Sequence, residues 1–128
     1  MKRLAIILTA LLAAATLLIF LMDLKTNSDL KGLAYTDIDM DTVADGIYRG
    51  KADTTFIKAE VEVEAADNRI ISIRILKHDS GLGKKAECIT GDMVRLNTCD
   101  ADVISGATAS SKVIKCAVSA ALAQGRLK

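Results

Sequence analysis

The patterning of this 128-residue chain predicts an α+β domain, a small antiparallel sheet with helices packed on one face, preceded by one N-terminal transmembrane helix. Three observations predict it. The chain starts with a long uncharged apolar run, an alternating segment is followed across a two-residue turn by a second apolar run, and the C-terminal part repeats apolar residues at helical spacing.

Leu4 to Met22 is 19 residues without a charge. At the rise of an α-helix these span roughly 28 Å, close to the hydrocarbon thickness of a bilayer. Lys2 and Arg3 ahead of the run also resemble the n-region of a signal peptide. The run is long for that reading. Its small residues, Ala13 to Ala15, lie mid-run, and cleavage there would leave Leu17 to Met22 as an exposed apolar end. An uncleaved anchor is the expectation, and with Cys88 as the first cysteine no lipid anchor is indicated. The basic leading flank, set against the mixed Asp23, Lys25, Asp29 and Lys31, points the N-terminus to the cytoplasm and the rest of the chain outward, at the cell membrane.

The expected organisation is an anchor over 1–23, a polar tether with one helical turn over 24–44, and a folded domain over 45–128. Asp45-Gly46 is a turn signal leading into a short strand at Ile47 to Gly50. From Ile57 to Ala65, the residues Ile57, Ala59, Val61, Val63 and Ala65 share one face and Lys58, Glu60, Glu62 and Glu64 the other, the mark of a half-buried strand. Asp67-Asn68 turns the chain into Ile70 to Leu76, so the two runs read as a β-hairpin. Ala86, Ile89, Met93 and Leu96 suggest a helix over 84–96, weakened by Gly91. A stronger helix follows, with Ser110 and Ser111 as candidate N-caps, a stripe of Val113, Ile114, Ala117, Val118, Ala121 and Leu122, and Gly125 at its end.

Composition narrows the function classes. There are 17 basic and 16 acidic residues and no basic cluster interleaved with aromatics, which argues against a nucleic-acid partner. Cys88, Cys99 and Cys116 show no metal-ligand spacing, so no metal site is expected. They read as buried thiols, with a Cys88–Cys99 bridge as the minority alternative.

Ser105-Gly106-Ala107-Thr108-Ala109-Ser110-Ser111 places small residues, hydroxyls and a glycine directly before the strong helix. The free N–H groups and partial positive charge of a helix start make this a candidate anion site. On spacing alone, a plain Ser/Thr N-cap accounts for it more simply. Lys84, Lys85 and Lys112 read as solvated lysines, although Lys112 is placed to neutralise a phosphate. His78, the single histidine, stands at a strand end and is a candidate hydrogen-bonding group.

Asp102-Val103-Ile104-Ser105-Gly106-Ala107-Thr108 resembles the flavinylation motif of the FMN-binding domain family, whose members include flavin-carrying components of the Rnf complex and of the sodium-translocating NADH:quinone oxidoreductase. The opening Asp45-Gly46-Ile47-Tyr48-Arg49-Gly50 is similar to that family's D-G-x-Y-x-G. His78 to Gly83 is similar to its loop after the hairpin, here keeping Gly81-Leu82-Gly83 without the glutamate and proline of larger members. The resemblance implies FMN as cofactor, joined to Thr108 by a phosphoester that a flavin transferase forms after reading Asp102. It further implies that Ser105, Gly106, Ala107, Ser110 and Ser111 surround the phosphate and that His78, Gly81 and Gly83 lie by the flavin, His78 as an edge donor.

With no nucleophile or acid–base pair in view, and no catalytic residue assigned, the resemblance implies an electron carrier serving redox partner proteins or quinones rather than a stand-alone enzyme. The alternative is a non-covalent FMN module, a redox sensor or an accessory domain of a flavin-dependent reductase.

Overall fold

The computed structural model describes residues 1–33, 36–79 and 84–127. Helix α1, Lys2–Gly32, begins with the apolar run and continues well past it. It is long and apolar enough to cross a membrane, and none of its apolar window is buried against the rest of the chain. Helix propensity does not break at Met22, because Asp23 to Lys31 holds neither proline nor glycine. The segment expected to be a tether is therefore helical to Gly32. A Lys25–Asp29 ion pair one turn apart supports its polar end, at 3.1 Å.

Three strands follow, β1 (Gly46–Asp53), β2 (Lys58–Ala66) and β3 (Arg69–Asp79), in the spatial order β1-β2-β3 and antiparallel throughout. The predicted hairpin is β2–β3. Asp67 and Asn68 both take positive φ, 52° and 62°, as the two-residue hairpin turn matching strand twist requires. Ile57, Ala59, Val61, Val63 and Ala65 are all buried, as the alternation predicts. On the other face the Glu62 carboxylate accepts from Arg49 at 3.1 Å and from Arg74 at 2.6 Å, tying all three strands together at the solvent surface.

The helices cover the opposite face. A short 3₁₀ helix, Lys84–Cys88, runs into α2 (Ile89–Leu96), and α3 (Thr108–Gln124) closes the domain. Val61, Val63 and Ile70 from the sheet meet Ile89 and Met93 from α2 and Ile114, Val118 and Leu122 from α3 in one core, each no more than 2% exposed. Ile38, Met40 and Val43, from the stretch expected to be tether, enter the same core. Asn97 ends α2 in the left-handed region. Its side chain accepts from Ile70 N–H at 2.8 Å and donates to the Asn68 carbonyl at 3.0 Å, fixing the hairpin end to α2.

Two expectations need correction. The segment 84–96 is a 3₁₀ helix and an α-helix in series, and Leu96 is 53% exposed rather than part of the stripe. Ser110 and Ser111 are not caps: α3 starts at Thr108, its N-cap is Ala107, and both serines are buried in the first turn.

Candidate functional site

The segment before α3 folds as a tight turn. Ala107 N–H donates to the Ile104 carbonyl at 2.9 Å, closing a four-residue turn with Gly106 third at φ +78°, a position that favours glycine. Ser111, fully buried, holds the turn from beneath. Its Oγ accepts from Ile104 N–H at 3.0 Å and donates to the Ala107 carbonyl at 2.7 Å.

The residue types at the helix start decide what is left open. Ala107 has no side-chain oxygen, so no cap takes up the N–H groups of the first turn of α3. That removes the plain Ser/Thr cap as the explanation of the motif. Thr108, the first residue of α3, is exposed, as are Ser105 and Asp102. Ala107 and Ser110 are buried at 5% and 2%, so their role is to let the turn pack closely on the domain.

A cation reaches this turn, and it is Lys85 rather than Lys112. The Lys85 ammonium lies over Gly106, so that a Cβ built on Gly106 would stand 2.5 Å from Nζ and 3.1 Å from Cε. Lys112 instead lines a cleft with Leu24, Asn27 and Lys31 of α1. Lys85 belongs to the 3₁₀ helix, and so does Glu87, whose carboxylate meets His78 Nδ1 at 3.0 Å. The His78 side chain is 1% exposed, and its Nε2 is buried with no hydrogen-bond partner among the described residues. Gly81 and Gly83 lie outside the described residues.

A profile of the FMN-binding domain family matches residues 54–123, from just before β2 to the last turn of α3, more than half of the chain. The chain belongs to the FMN-binding domain family. Its cofactor is FMN, and the residues present suit that group: an uncapped helix start and an ammonium for a phosphate, a glycine where a side chain would intrude, and an orphaned ring nitrogen for a polar atom of the flavin. Comparison with curated proteins and with solved structures gives no match.

The cluster contains no acid–base pair beside a nucleophile. Cys116 sits in α3, and burial pushes its thiol above the ordinary range, opposed in part by the charge of Lys115. No group of three or more metal-ligating side chains occurs among the described residues.

The sequence alone does not reveal the roles of Lys85 and Glu87, and it gives Ser111 a different one. Lys85 is exposed, as a solvated lysine should be, but nothing in the sequence shows that a 3₁₀ helix brings it over Gly106. Glu87 gave no signal, being nine residues from its histidine. Ser111, a candidate N-cap by sequence, instead binds the Ile104 N–H and the Ala107 carbonyl.

Proposed function

We propose that this chain is a membrane-anchored, extracytoplasmic electron carrier with FMN joined to Thr108 through a phosphoester. The observation that carries the reading is an exposed threonine hydroxyl at the first position of an uncapped helix, two residues after a glycine turn that lies under a lysine ammonium. FMN when bound supplies one- and two-electron chemistry. The chain's residues hold and place it. The N–H groups of α3 and the turn receive phosphate oxygens, Ser111 keeps the turn in shape from below, and Glu87 orients His78 toward a polar atom of the cofactor.

Attachment is a phosphoryl-group substitution with no change of oxidation state. Thr108 Oγ forms the new bond to the FMN phosphorus of a flavin dinucleotide donor, the pyrophosphate phosphorus–oxygen bond breaks, the nucleoside monophosphate leaves with that oxygen, and the hydroxyl proton goes to a base of the transferase. The transferase reads Asp102, exposed ahead of the turn. Helix α1 spans the membrane with Lys2 on the cytoplasmic side, and redox partner proteins or quinones meet the domain outside.

The test is a denaturing gel of protein made in cells that hold a flavin transferase, viewed under ultraviolet light. The chain gives a fluorescent band, Thr108→Ala gives none, and Thr108→Ser keeps one because a hydroxyl remains. Asp102→Ala weakens the band without unfolding the domain. Flavin lost on denaturation from an otherwise coloured protein favours the non-covalent module.

A further inference from the structure

We propose that Lys85 is the counter-ion of the FMN phosphate, the side chain that makes this site select a phosphorylated flavin. The inference rests on the reading of Thr108 as the attachment point and adds to it a residue outside the motif. Four observations carry it. The ammonium of Lys85 stands over Gly106, inside the turn that leads to Thr108. It has no ion pair or hydrogen bond among the described residues, whereas Lys25, Lys77 and Lys115 each reach a carboxylate. The glycine lets the exposed lysine come this near, since a Cβ at residue 106 would stand 2.5 Å from Nζ and push the end of the side chain aside. The other lysine near α3's start, Lys112, lines the cleft against α1 instead.

Charge explains why an unpaired ammonium suits this place. A phosphate ester linked to both threonine and riboflavin keeps one negative charge. The start of α3 offers about half a positive charge spread over N–H dipoles, so a full cation beside it completes the neutralisation. Lys85 comes from the 3₁₀ helix rather than from the motif, so a second element of the fold contributes charge to the site. Glu87 follows two residues later, about 4 Å further along a 3₁₀ axis, and holds His78. One short element thus addresses the phosphate with one side chain and sets a flavin-facing residue with another.

The experiment uses the full chain in detergent, flavin-loaded, beside the Thr108→Ala chain. Lysines are acylated with a limiting N-hydroxysuccinimide ester and read by mass spectrometry, with Lys84 as the internal reference. Attached FMN is expected to lower acylation of Lys85 roughly tenfold relative to Lys84, the scale of one charge-assisted pair. Phosphorus NMR of the loaded chain supplies a second readout: Lys85→Met moves the phosphodiester resonance, Lys85→Arg moves it less, and Lys84→Met leaves it in place. Equal acylation of Lys85 in loaded and unloaded chains, with the fluorescent band present, overturns the counter-ion while Thr108 attachment stands. So does a phosphorus signal indifferent to Lys85→Met, which would mean that the ring merely covers the lysine. A chain that carries no attached flavin overturns both readings together.

Discussion

Gly50 on β1 lies directly against the Ala117 carbonyl of α3, with the Ala121 backbone nitrogen only 2.5 Å from where a Cβ would be. Strand and helix touch backbone to backbone there, which seats α3, and with it the turn at Gly106, on the sheet. Gly50→Ala therefore forces the helix away from the strand. Overpacking of this kind costs about 1–3 kcal/mol, and a thermal or urea unfolding curve should show a loss of that size. A variant as stable as the parent would mean that α3 can slide on β1.

Ser111→Ala tests the support under the turn. The change leaves the Ile104 N–H without its partner and removes the donor to Ala107, a loss of about 1–3 kcal/mol for an unmatched buried group. The domain should remain folded while the turn loosens. Flavin attachment at Thr108 is expected to fall although Thr108 and Asp102 are intact, read as weaker band fluorescence per mole of folded chain.

His78 can be watched alone, because the chain has one histidine. A carboxylate only accepts, so the contact with Glu87 places the neutral ring's proton on Nδ1 and leaves a lone pair at the buried Nε2, an acceptor rather than the edge donor that the resemblance implies. Nitrogen NMR of histidine-labelled protein should show one signal with and one without a proton, and the Nε2 signal should move when flavin is attached. A signal that ignores the flavin would remove His78 from the cofactor's contacts. Glu87→Gln should mix the two tautomers, since an amide both donates and accepts.

How much of this was legible in the sequence differs by element for physical reasons. The hairpin was, because one face of β2 is buried and a period of two cannot be disguised. Its irregularities had a weaker signal: Ile70-Ile71 and Ile75-Leu76 break the alternation, and the register shifts there leave Ile71 and Leu76 as extra residues, 47% and 38% exposed. The helical stripe of α3 was legible for the same periodic reason as β2, while its N-cap, Ala107, lies three residues before the expected Ser110 because a serine reads as a cap wherever it stands. Ile38, Met40 and Val43 were not found as core residues, since three apolar side chains among aspartates form no period. In the site, the motif residues stood out by type and order. Lys85 and Glu87 did not, because their positions are set by a short 3₁₀ helix whose packing against α3 and β3 is a property of the fold.

The cysteines offer a test of topology that needs no change in the cofactor site. Cys88 is exposed, against the expectation of a buried thiol, whereas Cys99 and Cys116 are buried, and burial pushes the Cys116 thiol up and so lowers its thiolate fraction at neutral pH. A maleimide that cannot cross membranes should therefore modify the folded chain at Cys88 and spare Cys116. If the domain faces outward, as the basic flank Lys2-Arg3 ahead of the apolar run predicts, intact spheroplasts should label at Cys88, and Cys88→Ser should abolish the labelling. Labelling that appears only after the spheroplasts are lysed would place the domain in the cytoplasm. Cys116 should stay protected until the domain unfolds, because thiolate chemistry still needs access to the sulfur.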